Sequence, residues 1–365
     1  MTSATNMYAL TLEQTVNLIV TTGHLTTHLA QGRMGNAKSA MLKMVGARLP
    51  KHKLVYFDAT TKSLGDLALP SFAAAETDGY VKMVTHEELG LHLDGPVAVM
   101  IDEYGKAQGE VKNALTLFMN ERKMGGRELH PDSIIFATTN LGGEGLGDTM
   151  KAHHRNRITV IKMKGVSAVE YIEWGVNNDV DPAMLGWVRD NPHCCDSFED
   201  VPNPEDNQLI FHPKAIARTA FWTPRSGEKF SHILKQRHLL DDVTVTAAGI
   251  GTVGERAALE IMAYVTMTDQ LPTRQSIMDD PANAKIPTSA AAMCMVIYRT
   301  LGSVERDWID AWMVYMQRLS AEAQGMFANG VRSKTYNPKR QSMVMTNAAF
   351  TKWAQTNHHM FSADV

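Results

Sequence analysis

At 365 residues, with 44% hydrophobic and 21% charged side chains, the chain has the composition of an ordinary soluble globular protein and the length for two or three modules. Its net charge of −3 excludes a global basic field for nucleic acid, and no apolar run approaches the roughly 18 residues of a membrane span. Three cysteines, two of them adjacent (Cys194 and Cys195), exclude a disulfide framework and stand at no metal-binding spacing; residues 1–6 lack the basic start of a signal peptide, so a cytoplasmic setting is expected.

A helix is expected over 12–20, where Leu12, Val16 and Ile19 share a face, and a strand over 25–30. The loop Gly32-Arg33-Met34-Gly35-Asn36-Ala37-Lys38-Ser39 leads into a helix over 40–49 that Pro50 closes. A strand over 53–58 follows, and 60–95, rich in small and polar residues, reads as loops around short helices. The apolar run 97–101, ending in Asp102-Glu103, suits a strand covered on both faces. Next come a helix over 109–122 with Val111, Leu115 and Phe118 on one face, a buried strand over 133–140, a glycine-rich loop over 142–147 and a last strand over 157–163. This alternation implies a doubly wound α/β layer structure.

Beyond 167 helices take over, expected near 167–177, 181–190, 213–221, 225–238, 253–269, 288–301 and 303–328, with a proline-rich surface loop over 191–210. The stretch 331–343 is basic (Arg332, Lys334, Lys339, Arg340), contains a proline and reads as a flexible tail. Trp308 and Trp312, one helical turn apart, are expected to pack in the C-terminal core, and most of the 23 methionines read as adaptable core filler.

The loop matches the phosphate-binding pattern except that its last glycine is Ala37, whose Cβ is expected either to crowd the turn or to force a less strained variant. Such a loop turns its N–H groups on phosphates at the positive end of the following helix, with Gly32, Gly35, Asn36, Ala37, Lys38, Ser39 and Ala40 as the binding segment. Lys38 would reach the β/γ-phosphates, and Ser39 would ligate Mg²⁺. The strand ending at Asp102 and Glu103 delivers both acids to the sheet edge where open α/β folds bind ligands: Asp102 can hold Mg²⁺ through its water shell, and Glu103 can polarise an attacking water. Asn140, ending the next strand, can orient that water or sense the γ-phosphate; a turn-forming asparagine before Gly142-Gly143 explains it equally well. Arg155 and Arg157 precede the last strand, where one arginine can act on a neighbouring subunit's nucleotide and surface ion pairing is the plain alternative. Thr223-Pro224-Arg225 opens a helix whose start can bring Arg225 over a phosphate.

In order, these residues resemble the AAA+ ATPases, more narrowly the MoxR-like branch and related phage-encoded ATPases, over about residues 10–240. Residues 32–39 look like Walker A, Val99-Met100-Ile101-Asp102-Glu103 like Walker B, and Phe136-Ala137-Thr138-Thr139-Asn140 like sensor 1. Asn156-Arg157-Ile158 sits where the family has its arginine finger, with Ile in place of Phe, and Thr223-Pro224-Arg225 is similar to sensor 2. The resemblance implies a P-loop NTPase αβα sandwich with a five-stranded parallel sheet over 1–165, a helical lid over 166–240 and a helical C-terminal region over 241–365. It also implies ATP and Mg²⁺ as cofactors, a homo-oligomeric ring (a hexamer) with shared sites, and mechanical work on a protein partner. Some MoxR-like members are similar in carrying alanine at the Ala37 position.

Two functions follow from these residues: an ATP-hydrolysing remodeller, and a nucleotide-gated scaffold or loader that turns over slowly on a partner or on DNA. Histidine pairs His153-His154 and His358-His359 lack a third ligand and read as surface residues. Gly79-Tyr80-Val81 lies where a ring can present a pore aromatic, with a packed tyrosine as the plainer reading.

Overall fold

The computed structural model describes residues 8–73, 79–144 and 156–358, and the chain divides into two units, Met1–Gly165 and Val166–Val365, each with its own core. The first unit runs α1 (Leu12–Thr22), β1 (His28–Gln31), α2 (Met41–Arg48), β2 (Lys53–Asp58), a hairpin of β3 (Ala68–Ser71) and β4 (Lys82–Thr85), then β5 (Val97–Asp102), α3 (Gly109–Glu121), a second hairpin of β6 (Lys123–Met124) and β7 (Arg127–Glu128), β8 (Ile134–Thr139) and β9 (Thr159–Lys162).

Five of these strands pair in parallel in the order β2-β5-β8-β1-β9. The period of two along each strand decides which layer each residue joins. Val97, Val99 and Ile101 of β5 enter one core with Val111, Leu115 and Phe118 of α3. Ala98 and Met100 enter the other with Val16 and Ile19 of α1 and Met41 and Val45 of α2. Both faces are thus covered, which is why β5 and β8 read as unbroken apolar runs. Burying each large side chain in these layers stabilises by roughly 1.5–3 kcal/mol. Thr11 and Gln14 close a capping box that starts α1. Arg122 ends α3 in the left-handed region and donates to the Ser133 and Gly23 carbonyls, fixing the chain's return toward β8. A five-stranded parallel sheet between helices, with the glycine loop after β1, makes a three-layer αβα sandwich, and a helical region follows it.

Two parts of this unit differ from the expectation. The segment 60–95 holds the β3–β4 hairpin, in which Leu69 opposes Val84 and both are exposed, so no buried alternation marked it in the sequence. The β6–β7 hairpin turns on Gly125 and Gly126, both at positive φ, as a tight two-residue turn requires.

The second unit comprises α4 (Ala168–Asn177), α5 (Pro182–Asp190), α6 (Pro224–Lys235), α7 (Asp242–Val253), α8 (Glu255–Asp269), α9 (Arg274–Asp279), α10 (Ala290–Gly302), α11 (Arg306–Met316), α12 (Ala321–Arg332), α13 (Pro338–Met345) and α14 (Ala348–Thr356). One apolar core runs from Ala168 to Trp353, with Trp308 and Trp312 buried in it and their rings 5.8 Å apart. The helix expected over 213–221 is absent; its place is taken by turns closed by Ala215 N–H to His212 O and Arg218 N–H to Ala215 O. The His212 ring accepts from Lys214 N–H, and Arg218 donates to the Pro204, Asn207 and Ile210 carbonyls, which ties these turns to the preceding loop. The helix expected over 303–328 is two, because Ser320 caps α12. The stretch 331–343 is anchored rather than a loose tail: Val331, Tyr336 and Val344 are buried, the Tyr336 hydroxyl donates to Leu301 O at 2.8 Å, and Asn337 caps α13. No helix among the described residues is long and apolar enough to cross a membrane.

Candidate functional site

The loop after β1 is fixed first by its backbone. Gly32 N–H donates to Thr139 O at 3.1 Å, tying the loop to the end of β8. Gly35 (φ 73°) and Ala37 (φ 54°) are both left-handed and flank Asn36. Backbone that alternates in hand this way gathers N–H groups into an anion-binding concavity. Ala37 keeps the left-handed turn (ψ 17°) instead of relaxing from it, at a cost of about 1 kcal/mol for its Cβ. A short turn, Lys38–Ala40, with Ser39 exposed on it, then opens α2.

Lys38 is 5% exposed and its ammonium turns back into the loop, donating to Gly32 O and Arg33 O at 2.8 Å each and to Asn140 Oδ1 at 2.5 Å. Asn140, buried at the end of β8, presents its Nδ2 to both Glu103 carboxylate oxygens at 3.3 Å. The amide therefore lies between a cation and an anion with its oxygen toward one and its nitrogen toward the other, the orientation the charges require. Glu103 sits just past β5 at φ 52° and also pairs with Lys106 at 3.1 Å. A side chain kept in this sparsely populated region is aimed by the surrounding structure rather than by its own preference.

Asp102, buried at the end of β5, is hydrogen-bonded on both oxygens. Oδ1 accepts from the Thr138 hydroxyl and from Glu103 N–H at 3.0 Å; Oδ2 accepts from the Tyr56 hydroxyl at 3.0 Å. Burial, reinforced by the Asp102 charge and this hydrogen bond, pushes the Tyr56 phenol up to about 12. Ser39 Oγ and the Asp102 carboxylate are hard oxygen donors of the kind that suit Mg²⁺.

A further acid enters from the loop after β8. Glu144, 8% exposed, accepts Met34 N–H at 2.8 Å. Burial raises its carboxyl above the ordinary carboxylate range, while the Met34 N–H and the charges of Lys38 and Arg33 pull it back down. The Asn36 Nδ2 in the same loop is buried and has no hydrogen-bond partner among the described residues.

The structure thus gathers Gly32, Gly35, Asn36, Ala37, Lys38, Asp102, Glu103 and Asn140 at the carboxyl edge of the sheet, with Ser39 and Ala40 leading away into α2. Arg157 is exposed two residues before β9. Arg155, His153, His154 and His359 lie outside the described residues. Arg225 is exposed in the first turn of α6, in the second unit, behind a Thr223–Ser226 capping box. Tyr80 is 59% exposed rather than packed, with the Lys82 ammonium 5.6 Å from its ring centre. Among the described residues no group of three or more histidines, cysteines or acids is arranged to hold a metal ion. Sequence reasoning passed over Tyr56, Thr138, Lys106 and Glu144, whose partners are fixed only by the fold.

No family model matches the chain, and no curated protein matches it. Among solved structures it is similar to a candidate ATPase from Cytophaga hutchinsonii ATCC 33406, at 10% identity and a TM-score of 0.34, over 72% of this chain and 91% of that one. It is also similar to the RuvB Holliday junction branch migration motor of Thermotoga maritima, at 13% identity and a TM-score of 0.36, over 82% of this chain and 85% of that one.

Proposed function

We propose that the chain is an ATPase that binds Mg·ATP on residues 32–40 and hydrolyses it at sites shared between subunits of a ring, in the manner of a MoxR-like remodeller. The observation that carries the reading is the Lys38–Asn140–Glu103 bridge, which joins a phosphate-reaching cation to a water-activating carboxylate through one buried amide. In this reading the loop N–H groups between Gly35 and Ser39 and the Lys38 ammonium bind the phosphates. Mg²⁺, held by Ser39 and by Asp102 through water, would supply charge neutralisation at the phosphate oxygens. Glu103 accepts the proton of the attacking water, and Asn140 keeps that carboxylate aimed. Tyr56 and Thr138 fix the rotamer of Asp102. Arg157, exposed at the unit's edge, is the candidate for a neighbour's nucleotide; Arg155 is its rival, and Arg225 the candidate from the second unit.

The test is phosphate release with Mg·ATP across protein concentrations, beside Lys38→Ala and Arg157→Ala. Activity that rises steeply with concentration and is lost in both variants supports the shared-site reading. Activity independent of concentration and intact in Arg157→Ala would remove the shared site. A second reading, a nucleotide-gated scaffold with slow turnover, is favoured by the strained Ala37 in the loop. ATP binding without measurable release in the assembled protein would select it.

A further inference from the structure

We propose that the last two helices, α13 and α14, form a docking face for duplex DNA, with α14 as the element that enters the major groove. The first observation is where the charge lies. Over 166–322 acids outnumber lysines and arginines, whereas 323–358 carries Arg332, Lys334, Lys339, Arg340 and Lys352 and no aspartate or glutamate. A chain of net charge −3 has thus set cations apart on one short stretch, a local field of the sign that phosphates require. Lys334, Lys339 and Lys352 are exposed and pair with no acid among the described residues. The acids that hydrogen-bond to this stretch from other helices are already engaged. Glu173 accepts from the Ser333 and Thr335 hydroxyls at 3.3 and 3.0 Å, and Asp310 accepts from Asn347 Nδ2 at 2.8 Å.

The second observation is the shape. Only Thr346 and Asn347 separate α13 from α14, and the Asn347 side chain caps α14. One face of α14 is locked down: Phe350 and Trp353 are buried, their rings 5.8 Å apart, and Trp353 Nε1 donates to Gln324 of α12 at 3.0 Å. The other face shows Ala348, Thr351, Lys352, Gln355 and Thr356, all exposed and spaced i, i+3, i+4, i+7 and i+8, which is one side of a helix. The Thr351 and Thr356 hydroxyls donate to carbonyls of their own turn and keep their oxygens as acceptors; Gln355 offers a donor and an acceptor. Small and amide side chains around one cation, with no acid and no bulky apolar group, are what a groove lined by base edges and flanked by phosphates accepts, and the major groove of B-form DNA, about 12 Å wide, admits a helix.

The same stretch argues against other partners. Its aromatic residues over 323–358, Phe327, Tyr336, Phe350 and Trp353, are all buried, so it offers no stacking platform for single strands. Met345 is its one exposed large apolar side chain among the described residues, too little to anchor a protein interface.

The test is fluorescence anisotropy of a labelled DNA duplex of about 25 base pairs titrated with the full chain in the absence of nucleotide, so that its outcome is independent of the ATPase reading. Wild type is expected to bind at about 50 mM salt and to weaken with salt at a log–log slope of about −3 or steeper. Lys334→Ala, Lys339→Ala and Lys352→Ala combined are expected to weaken binding at least about tenfold and to flatten the slope by about 3, one for each cation. The same three positions changed to arginine are expected to restore binding, and Lys285→Ala, outside the stretch, to leave it within about twofold of wild type. No binding by wild type at low salt, or binding that the triple alanine variant keeps, overturns the proposal, as does equal weakening by the triple arginine variant. Single-stranded DNA, duplex RNA (whose deep, narrow major groove excludes a helix) or polyglutamate bound as tightly as duplex DNA overturns the assignment of α14 to the DNA major groove.

Discussion

Asn140→Ala separates the two halves of the central bridge, because their energies differ. On one side Asn140 Oδ1 accepts from a buried ammonium at 2.5 Å; on the other its Nδ2 reaches a partly exposed carboxylate at 3.3 Å, a carboxylate that also has Lys106. A hydrogen bond to a charged group contributes about 1.5–3 kcal/mol, and losing one acceptor of a 5% exposed ammonium exposes most of that cost. The longer contact to Glu103, which water can replace, contributes under about 1 kcal/mol. The substitution is therefore expected to destabilise the nucleotide-free first unit by about 2–3 kcal/mol, lowering its transition by about 5–10 °C.

All six tryptophans lie at or beyond Trp174, in the second unit, so calorimetry follows both units whereas tryptophan fluorescence follows the second alone. The expected result is a shifted calorimetric transition that the fluorescence melt does not report. Double-mutant cycles then divide the bridge. Coupling of Asn140→Ala to Lys38→Met is expected to exceed about 1 kcal/mol, and coupling to Glu103→Gln to lie below about 0.5 kcal/mol. Equal couplings, or none to Lys38→Met, would refute the argument that burial on the Lys38 side makes that half dominant.

Glu103→Gln is expected to keep nucleotide binding within about threefold while phosphate release falls by about 10²–10⁴, as for loss of a general base; unchanged release would dismiss Glu103 from that role. Ala37→Gly removes a Cβ strained by about 1 kcal/mol but adds about 0.5–1 kcal/mol of unfolded-state entropy, so its melting temperature should stay within about 3 °C of wild type. A gain in nucleotide affinity above about fivefold in that variant would show that the Cβ crowds the phosphates. Tyr56→Phe removes the donor to Asp102 Oδ2. Because the phenol is raised from 10.0 to about 12, the wild-type advantage is fully present below pH 10 and lost as pH rises through about 12, so the two melting curves should converge over that interval. Trp312→Ala empties a site packed by Trp308, Tyr315 and Phe327, and should cost the second unit about 3–5 kcal/mol, visible in its fluorescence transition.

What the sequence made legible is what local pattern controls. The apolar runs of β5 and β8 declare two covered faces, and the glycine and lysine spacing after β1 declares the loop, because each signal is written in consecutive residues. The β3–β4 hairpin left no such trace: Leu69, Met83 and Val84 are exposed, so no core selects an alternating pattern there. The turns over 213–221, where the sequence leads one to expect a helix, are hidden for a related reason. Composition there permits a helix, whereas the chain takes successive turns that Arg218 ties to the carbonyls of Pro204, Asn207 and Ile210, contacts that no local pattern shows.

The site divides along the same line. Lys38, Asp102, Glu103 and Asn140 stand at strand ends that pattern can find. Tyr56 meets Asp102 across a strand register and Glu144 meets Met34 across the sheet edge, contacts that no spacing encodes. These unforeseen partners alter the energetics of the site. Lys38 is engaged by two carbonyls and an amide, Met34 N–H by a carboxylate, and Asp102 by two hydroxyls and an N–H before any phosphate is present. Phosphate binding to such a loop is an exchange of partners rather than a filling of vacancies. Its affinity is then set by how weakly the chain's own acceptors hold the loop.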